Sequence, residues 1–172
     1  PKRLELLVDA GIDVFINLTQ DYPGGTDSHM SRYDPGVGGR AEIVRCPVPD
    51  EHLPACPLEG REAREAAYRM YRNEEGSPHC PNDQSRAETR KILDRIDAAL
   101  DDDQNVYVHC WGGSGRTGTV VGCWLLRHGF VDPDKVLGRL KDLRRGDRKG
   151  GRKKTPNMEE QRKFIKGWEE SE

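Results

Sequence analysis

The sequence predicts an α/β fold in which helices flank a central, mostly parallel sheet. Three short apolar runs, at 12–18, 41–48 and 105–109, are rich in β-branched and aromatic residues and are typical of buried strands. Helical patterns lie between and after these runs, and this alternation favours parallel strands joined by helical crossovers. The 172 residues are enough for a domain with its own core, so we expect one domain over 1–172.

The first half of the chain contains two predicted helices. Leucines at helical spacing predict a short helix over 4–10, and Gly11 is suited to end it. Because the chain begins abruptly at the edge of this helix, we expect that an N-terminal piece precedes it. Paired glycines and prolines predict a loop over 19–40, and an Ala- and Arg-rich stretch predicts a polar helix over 59–74.

Four further helices are predicted in the second half. Ser85 and Glu88 have the spacing of a capping box, so Ser85 is expected to begin a helix with apolar residues at helical spacing. A second helix is expected over 116–128. Asp132-Pro133 and Thr155-Pro156 have the residue types of an N-cap and first turn, and we expect them to open the last two helices.

The composition excludes several classes of protein. The formal net charge of −2 gives no global attraction to nucleic acid, and we expect no such partner. The basic run at 139–154 and the acidic run at 97–103 are typical of solvated faces. No apolar run approaches the ~18 residues that a membrane span needs. Five cysteines, odd in number and irregularly spaced, favour a reducing, cytoplasmic setting over a disulfide framework.

The stretch at 106–122, VYVHCWGGSGRTGTVVG, carries the chemistry. Cys110 lies where a predicted strand ends, and Arg116 lies where a predicted helix begins. A loop that enters a helix presents unpaired N–H groups and the positive end of the helix dipole, which together form an anion site. The guanidinium of Arg116 can bind two oxygens of a phosphate. The predicted phosphate-binding residues are Trp111, Gly112, Gly113, Ser114, Gly115 and Arg116.

The position of Cys110 in this loop predicts a nucleophile. The positive field that attracts a phosphate also stabilises a thiolate, and a thiolate below a bound phosphate can attack phosphorus. Thr117 could donate its hydroxyl to the sulfur. The alternative, a buried inert cysteine beside an ordinary glycine turn, does not account for the strand, loop, arginine and helix occurring together.

The motif His109-Cys110-x5-Arg116-Thr117-Gly118 resembles the signature of the cysteine-dependent protein tyrosine phosphatases, and most of all their compact dual-specificity-like microbial branch. The segments 6–19, 88–110 and 155–168 also resemble parts of that family. The resemblance implies a two-step reaction through a cysteinyl-phosphate, without metal or cofactor. It also implies that an aspartic acid protonates the leaving oxygen and then activates water.

Two aspartates are candidates for this general acid. Asp50 follows a predicted strand, as catalytic loop residues often do, but it lies 60 residues before Cys110, further than in compact relatives. An insertion at about 54–84 would explain the excess, because surface loops tolerate insertions. Asp83, 27 residues before Cys110, is the alternative. We expect Asp50 to be the acid.

The remaining functional residues follow from the resemblance. It implies that His109 tunes Cys110 by hydrogen bonding and that Gln161 positions the hydrolytic water, although an ordinary solvated glutamine is an equal alternative. Cys46, Cys56 and Cys80 lack the paired spacing of structural zinc sites, so no metal site is expected. A reversible disulfide between Cys110 and Cys46 or another cysteine is a further alternative.

The expected substrate is a phosphorylated protein, through phosphotyrosine alone or with dual specificity. A small phosphorylated molecule such as an inositol phosphate is the alternative. A non-catalytic phosphate-binding module is the alternative from another class, and the sequence does not indicate an oligomeric state.

Overall fold

A computed structural model describes residues 2–37, 39–72, 82–147 and 154–169. Within them, the sheet has three parallel strands in the order β2-β1-β3, with β1 at Val14–Asn17, β2 at Glu42–Arg45 and β3 at Val106–His109. The parallel sheet and its flanking helices confirm the predicted fold class. The observed strands are shorter than the predicted apolar runs.

The central strand β1 is buried on both faces, which is why its sequence is continuously apolar rather than alternating. Val14 and Ile16 face the main core, which the helices after the sheet complete. Phe15 points to the other face, where its ring lies 6.0 Å from that of Tyr33 and 5.7 Å from that of Tyr107.

Helix α5 (Gly115–Arg127) occupies the middle of the helical layer, where it contacts strand β3 and three other helices. These are α4 (Asn82–Asp101), α6 (Val136–Leu143) and α7 (Glu159–Lys166). Its end agrees with the prediction, because Gly129 adopts a positive φ of 65° just beyond it. No described helix is long and apolar enough to cross a membrane. The helices are α1 (Lys2–Asp9), α2 (Asp34–Val37), α3 (Gly60–Tyr71), α4 (Asn82–Asp101), α5 (Gly115–Arg127), α6 (Val136–Leu143) and α7 (Glu159–Lys166).

Three predicted helix starts are wrong. Ser85 does not cap α4, because that helix already begins at Asn82 and buries Ser85 within it. Asp132 precedes a turn, and its carboxylate pairs with Lys135 before α6 begins. Thr155 lies ahead of α7, and its hydroxyl accepts a hydrogen bond from Arg144 at 3.1 Å instead of capping a helix.

The predicted loop over 19–40 contains the short helix α2, which packs against α1. The proposed insertion at 54–84 contains α3 and the first turn of α4. Its residues 73–81, which include Cys80, lie outside the described residues.

Cys123 in α5 is fully buried in the core, as a structural cysteine would be.

Candidate active site

Cys110 follows β3 at the carboxyl end of the parallel sheet, which is where open α/β sheets place their ligand sites. Its side chain is 8% exposed. The Thr117 hydroxyl donates a hydrogen bond to Sγ at 3.1 Å. A donor at this position stabilises negative charge on the sulfur, both before attack and when the sulfur later leaves phosphorus.

Residues 110–116 form the segment that we call the phosphate loop. Gly113 adopts a φ of +62°, a conformation that a residue with a side chain rarely takes. Among the described residues, the backbone N–H groups from 111 to 116 have no hydrogen-bond acceptor. They lie at the N-terminus of the 13-residue helix α5, so they are available to an anion. The buried hydroxyl of Ser114 also has no partner within the described part of the chain.

Arg116 is buried, with 1% exposure, and four groups surround its guanidinium. Its Nη1 lies 2.6 Å from Oδ2 of Asp27, and its Nη2 lies 2.9 Å from Oδ1 of the same carboxylate. Nη1 also donates to the carbonyl oxygens of Val48 at 3.0 Å and Leu18 at 3.3 Å. Nη2 contacts Oδ1 of Asp50 at 2.7 Å. Nε has no described partner.

Asp50 therefore lies at the phosphate loop, as one of the two predicted acids should. Its side chain is 38% exposed, so solvent reaches a carboxylate that also pairs with Arg116. Its backbone N–H donates to the hydroxyl of Thr26 at 3.0 Å. Asp83 is exposed in the first turn of α4, and no described hydrogen bond or ion pair connects it to the phosphate loop. The structure brings together Asp50, Arg116 and Cys110 but leaves Asp83 apart.

His109 is held in one orientation beside Cys110. Its Nε2 lies 2.7 Å from the hydroxyl of Tyr33, and its Nδ1 lies 3.3 Å from the carbonyl oxygen of Cys110. Burial, followed by the charges of nearby arginines, lowers the pKa of His109 below its usual value. Burial also raises the pKa of Tyr33, so its hydroxyl stays protonated and donates to a neutral imidazole.

Gln161 is fully buried, unlike an ordinary solvated glutamine. Its Nε2 donates to the carbonyl oxygen of His52 at 3.0 Å, while its buried Oε1 has no described partner. A Cβ atom added to Gly115 would lie 3.1 Å from that Oε1. Asn157 also lies next to Gly115, and its side-chain amide donates a hydrogen bond to the carboxylate of Glu51 at 2.7 Å. The segment that opens α7 thus joins the phosphate loop to residues 49–56, which we call the acid loop.

Two aromatic side chains, one from the phosphate loop and one from the segment before β2, lie at the mouth of the site. Trp111, directly after Cys110, is 65% exposed. The ring of exposed His29 meets it edge-on, with 5.8 Å between ring centroids. An exposed indole beside a nucleophile offers a flat apolar surface to whatever group carries the phosphate.

Asp27, Thr26 and Tyr33 are absent from the sequence prediction. All three lie between β1 and β2, in a stretch whose glycines, prolines and aspartates resemble ordinary turn residues. Only their burial and contacts separate them from such residues, and no local spacing signals either property.

Comparisons with known proteins found a matching family model and solved structures of similar fold. Residues 76–164 match a family model described as Swiss Army Knife protein, DSP-PTPase phosphatase domain (PTP-SAK). The fold is similar to the crystal structure of Tk-PTP in its active form, with a TM-score of 0.62, 19% identity, and coverage of 96% of this chain and 82% of that chain. It is also similar to kinase associated phosphatase (KAP) carrying serine for its catalytic-site cysteine, with a TM-score of 0.58, 17% identity, and coverage of 95% and 72%. No curated protein matches the chain.

Proposed function

The chain belongs to the Swiss Army Knife DSP-PTPase phosphatase domain family, of cysteine-based tyrosine/dual-specificity phosphatases, and from that premise we propose that it dephosphorylates proteins through a phosphocysteine at Cys110. The observation that carries this assignment is the position of Arg116. Arg116 belongs to the same phosphate loop as Cys110, and its buried guanidinium contacts Asp50 and has Nε without a described partner.

In the first step, Sγ of Cys110 attacks phosphorus while the bond from phosphorus to the leaving oxygen breaks. The N–H groups of the phosphate loop and Arg116 bind the phosphoryl oxygens, whose charge they stabilise. Asp50 gives a proton to the leaving oxygen, so the product departs as an alcohol or phenol.

In the second step, Asp50 takes a proton from water as the water oxygen attacks phosphorus, and the bond from phosphorus to sulfur breaks. The hydrogen bond from Thr117 stabilises the departing thiolate. Gln161 contributes by holding the phosphate loop against the acid loop, because its amide lies between Gly115 and His52. We also propose that Gln161 orients the attacking water.

The exposed Trp111 favours phosphotyrosine as the preferred substrate, because its indole and the ring of His29 can contact a phenyl ring. Phosphoserine and phosphothreonine, which lack a ring, would be turned over more slowly. A small phosphorylated molecule such as an inositol phosphate remains the alternative. We propose a cytoplasmic location, because the five cysteines are odd in number and irregularly spaced, unlike those of a disulfide framework.

Turnover of p-nitrophenyl phosphate tests the assignment. Wild type should be active with or without a chelator, and Cys110→Ser should be inactive. Asp50→Asn should turn over phenyl phosphate, which has a poor leaving group, roughly 10²–10⁴-fold more slowly. It should retain more of its activity on p-nitrophenyl phosphate.

Asp83→Asn is the matched control for the acid, since it makes the same change at the other candidate and should behave as wild type. Loss of phenyl phosphate turnover in this variant, with Asp50→Asn unaffected, would move the acid to Asp83. Inactive wild type would refute the proposed function. Trp111→Ala should raise KM for a phosphotyrosine peptide but not for the phosphoserine peptide of the same sequence, and equal effects would refute the aromatic preference.

A further inference from the structure

We propose that Asp27 and Thr26 are positioning residues, which fix the guanidinium of Arg116 and tie the acid loop to it. This inference rests on the assignment of Arg116 as a phosphate ligand. The side chain of Asp27 is 2% exposed and that of Arg116 is 1% exposed, so the pair is shielded from water. Two hydrogen bonds of 2.6 and 2.9 Å join the planes of the carboxylate and the guanidinium.

The two hydrogen bonds to Asp27 determine which N–H groups of the Arg116 guanidinium remain available to a phosphate. A guanidinium has five N–H donors in one plane. Asp27 takes one from each Nη, and the Val48 carbonyl oxygen takes the other from Nη1. The N–H of Nε and the one that now contacts Asp50 are left. These two can hold two oxygens of a phosphate, the second by displacing Asp50.

Asp27 is itself held firmly. The backbone N–H of Gln20 donates to its Oδ2 at 2.9 Å, and the hydroxyl of Thr26 lies 3.2 Å from the same oxygen. Burial opposes ionisation of Asp27, but the hydrogen bonds and charge of Arg116 outweigh it and lower its pKa. The carboxylate is therefore charged at neutral pH and its orientation is set from three sides.

Thr26 extends this support to the general acid. Its hydroxyl oxygen accepts the backbone N–H of Asp50 at 3.0 Å. The adjacent residues 26 and 27 thus hold the acid loop and the phosphate-binding arginine at a fixed separation. The substrate phosphate must lie between those two groups.

Helix α3 braces the same segment from outside. Arg64 donates to the carbonyl oxygen of Gly25 at 3.1 Å. Gly60, with a φ of +49°, lies so close that a Cβ atom there would be 2.2 Å from the carbonyl oxygen of Gly24. In addition, Nε2 of His52 in the acid loop lies 2.9 Å from the carbonyl oxygen of Ala63 in α3. Helix α3 therefore contacts both the glycines that precede Thr26 and the acid loop.

The affinity for inorganic phosphate, measured by titration calorimetry, tests the role of Asp27. Asp27→Asn should weaken phosphate binding by roughly ten- to a hundredfold, because the amide nitrogen opposes a guanidinium N–H and turns the arginine away. If Asp27 acted only through its charge, Asp27→Asn would instead tighten phosphate binding, because the substitution removes a negative charge beside the anion site. Asp27→Glu, which keeps the charge but lengthens the side chain, should recover part of the affinity.

Asp21→Asn is the matched control. Asp21 lies in the same segment, and both of its carboxylate oxygens accept from Nη1 of a different, half-buried arginine, Arg45, at 2.9 and 3.0 Å. This variant should bind phosphate within about threefold of wild type, the scatter expected for a residue without direct coupling. Equal weakening in both variants, or unchanged or tighter binding in Asp27→Asn, would overturn the role of Asp27.

Thr26→Val tests the link to the acid. It should weaken phosphate binding less than Asp27→Asn does, because it removes only one of the three contacts that orient Asp27. It should lose turnover of phenyl phosphate more than of p-nitrophenyl phosphate, and Thr26→Ser should restore both. A Thr26→Val variant with wild-type leaving-group dependence would overturn the proposal, even if Asp27→Asn fails to fold. Because phosphate binding needs no turnover, the calorimetric result stands apart from any failure of the proposed enzymatic reaction.

Discussion

Gly122 lies in the middle of α5, on the face that packs against α6 and α7. A Cβ atom here would lie 3.0 Å from Cγ2 and 3.1 Å from Cδ1 of Ile165, and 3.2 Å from Cδ1 of Leu140. Ordinary carbon contacts lie near 3.5–4.0 Å, so these methyl groups would have to move by several tenths of an ångström. Ile165 is fully buried and Leu140 is 3% exposed, so neither has free space beside it.

Two opposing terms determine the effect of Gly122→Ala on the free energy of unfolding. Replacing a glycine inside a helix by alanine stabilises by roughly 1 kcal/mol. Adding a methyl group to a close-packed core destabilises by about 1–3 kcal/mol. Because all three contacts are short and involve buried side chains, we expect the packing term to dominate. The net effect should be a destabilisation of up to about 2 kcal/mol.

Urea denaturation of Gly122→Ala beside Gly138→Ala measures this balance. Gly138 is exposed in α6, and a Cβ atom there would meet nothing within 4 Å, so the same change should stabilise by roughly 0.5–1 kcal/mol. The two midpoints should move in opposite directions at unchanged m-value. If Gly122→Ala stabilises as much as Gly138→Ala, close packing is not what requires glycine in α5, and the reasoning fails.

Two further predictions concern buried charged and polar groups. Tyr33→Phe removes the donor to the neutral ring of His109 and should destabilise by about 1–2 kcal/mol at pH 8. Because the folded-state pKa of His109 is lowered, the stability that its neutral ring contributes is present above the unfolded value of 6.5 and is lost as the pH falls through the lowered value. The loss measured by urea denaturation should therefore shrink once His109 is protonated in the folded state, and a loss that stays constant through that protonation would contradict it. Asp27→Asn breaks a buried pair and should cost about 3–5 kcal/mol at pH 7. Since the pKa of Asp27 is lowered from 3.8, this difference should decline as the pH falls below that value, and a constant difference down to pH 2.5 would exclude the ion pair as its cause.

The fold was predictable where its signal is local and repeated. A parallel sheet needs continuous apolar strands with helices between them, and this alternation is visible over the whole chain. The helix starts were less predictable, because Ser, Thr and Asp also occur in turns near helices. Thr155 shows the reason, since its hydroxyl is engaged by Arg144 from a different helical segment.

The site was most predictable where its residues are contiguous. The nucleophile, the phosphate loop and Arg116 share one turn, so their chemistry can be inferred from a single stretch. Asp27 contacts Arg116 across 89 positions of the sequence, and nothing near it indicates that it is buried. Gln161 was predictable as a helix residue, but its burial against Gly115 depends on how closely α5 and α7 approach.

The charges around Arg116 also constrain the order of events. In the described site, the carboxyl groups of Asp27 and Asp50 both contact one guanidinium. A phosphate that binds Nη2 has to displace one of them. Asp27 is buried and bound from three sides, whereas the side chain of Asp50 is 38% exposed and contacts the guanidinium through Nη2 alone. The phosphate therefore displaces Asp50 and leaves Asp27 in place, so the carboxyl group that has to donate the proton leaves the arginine only when the substrate binds.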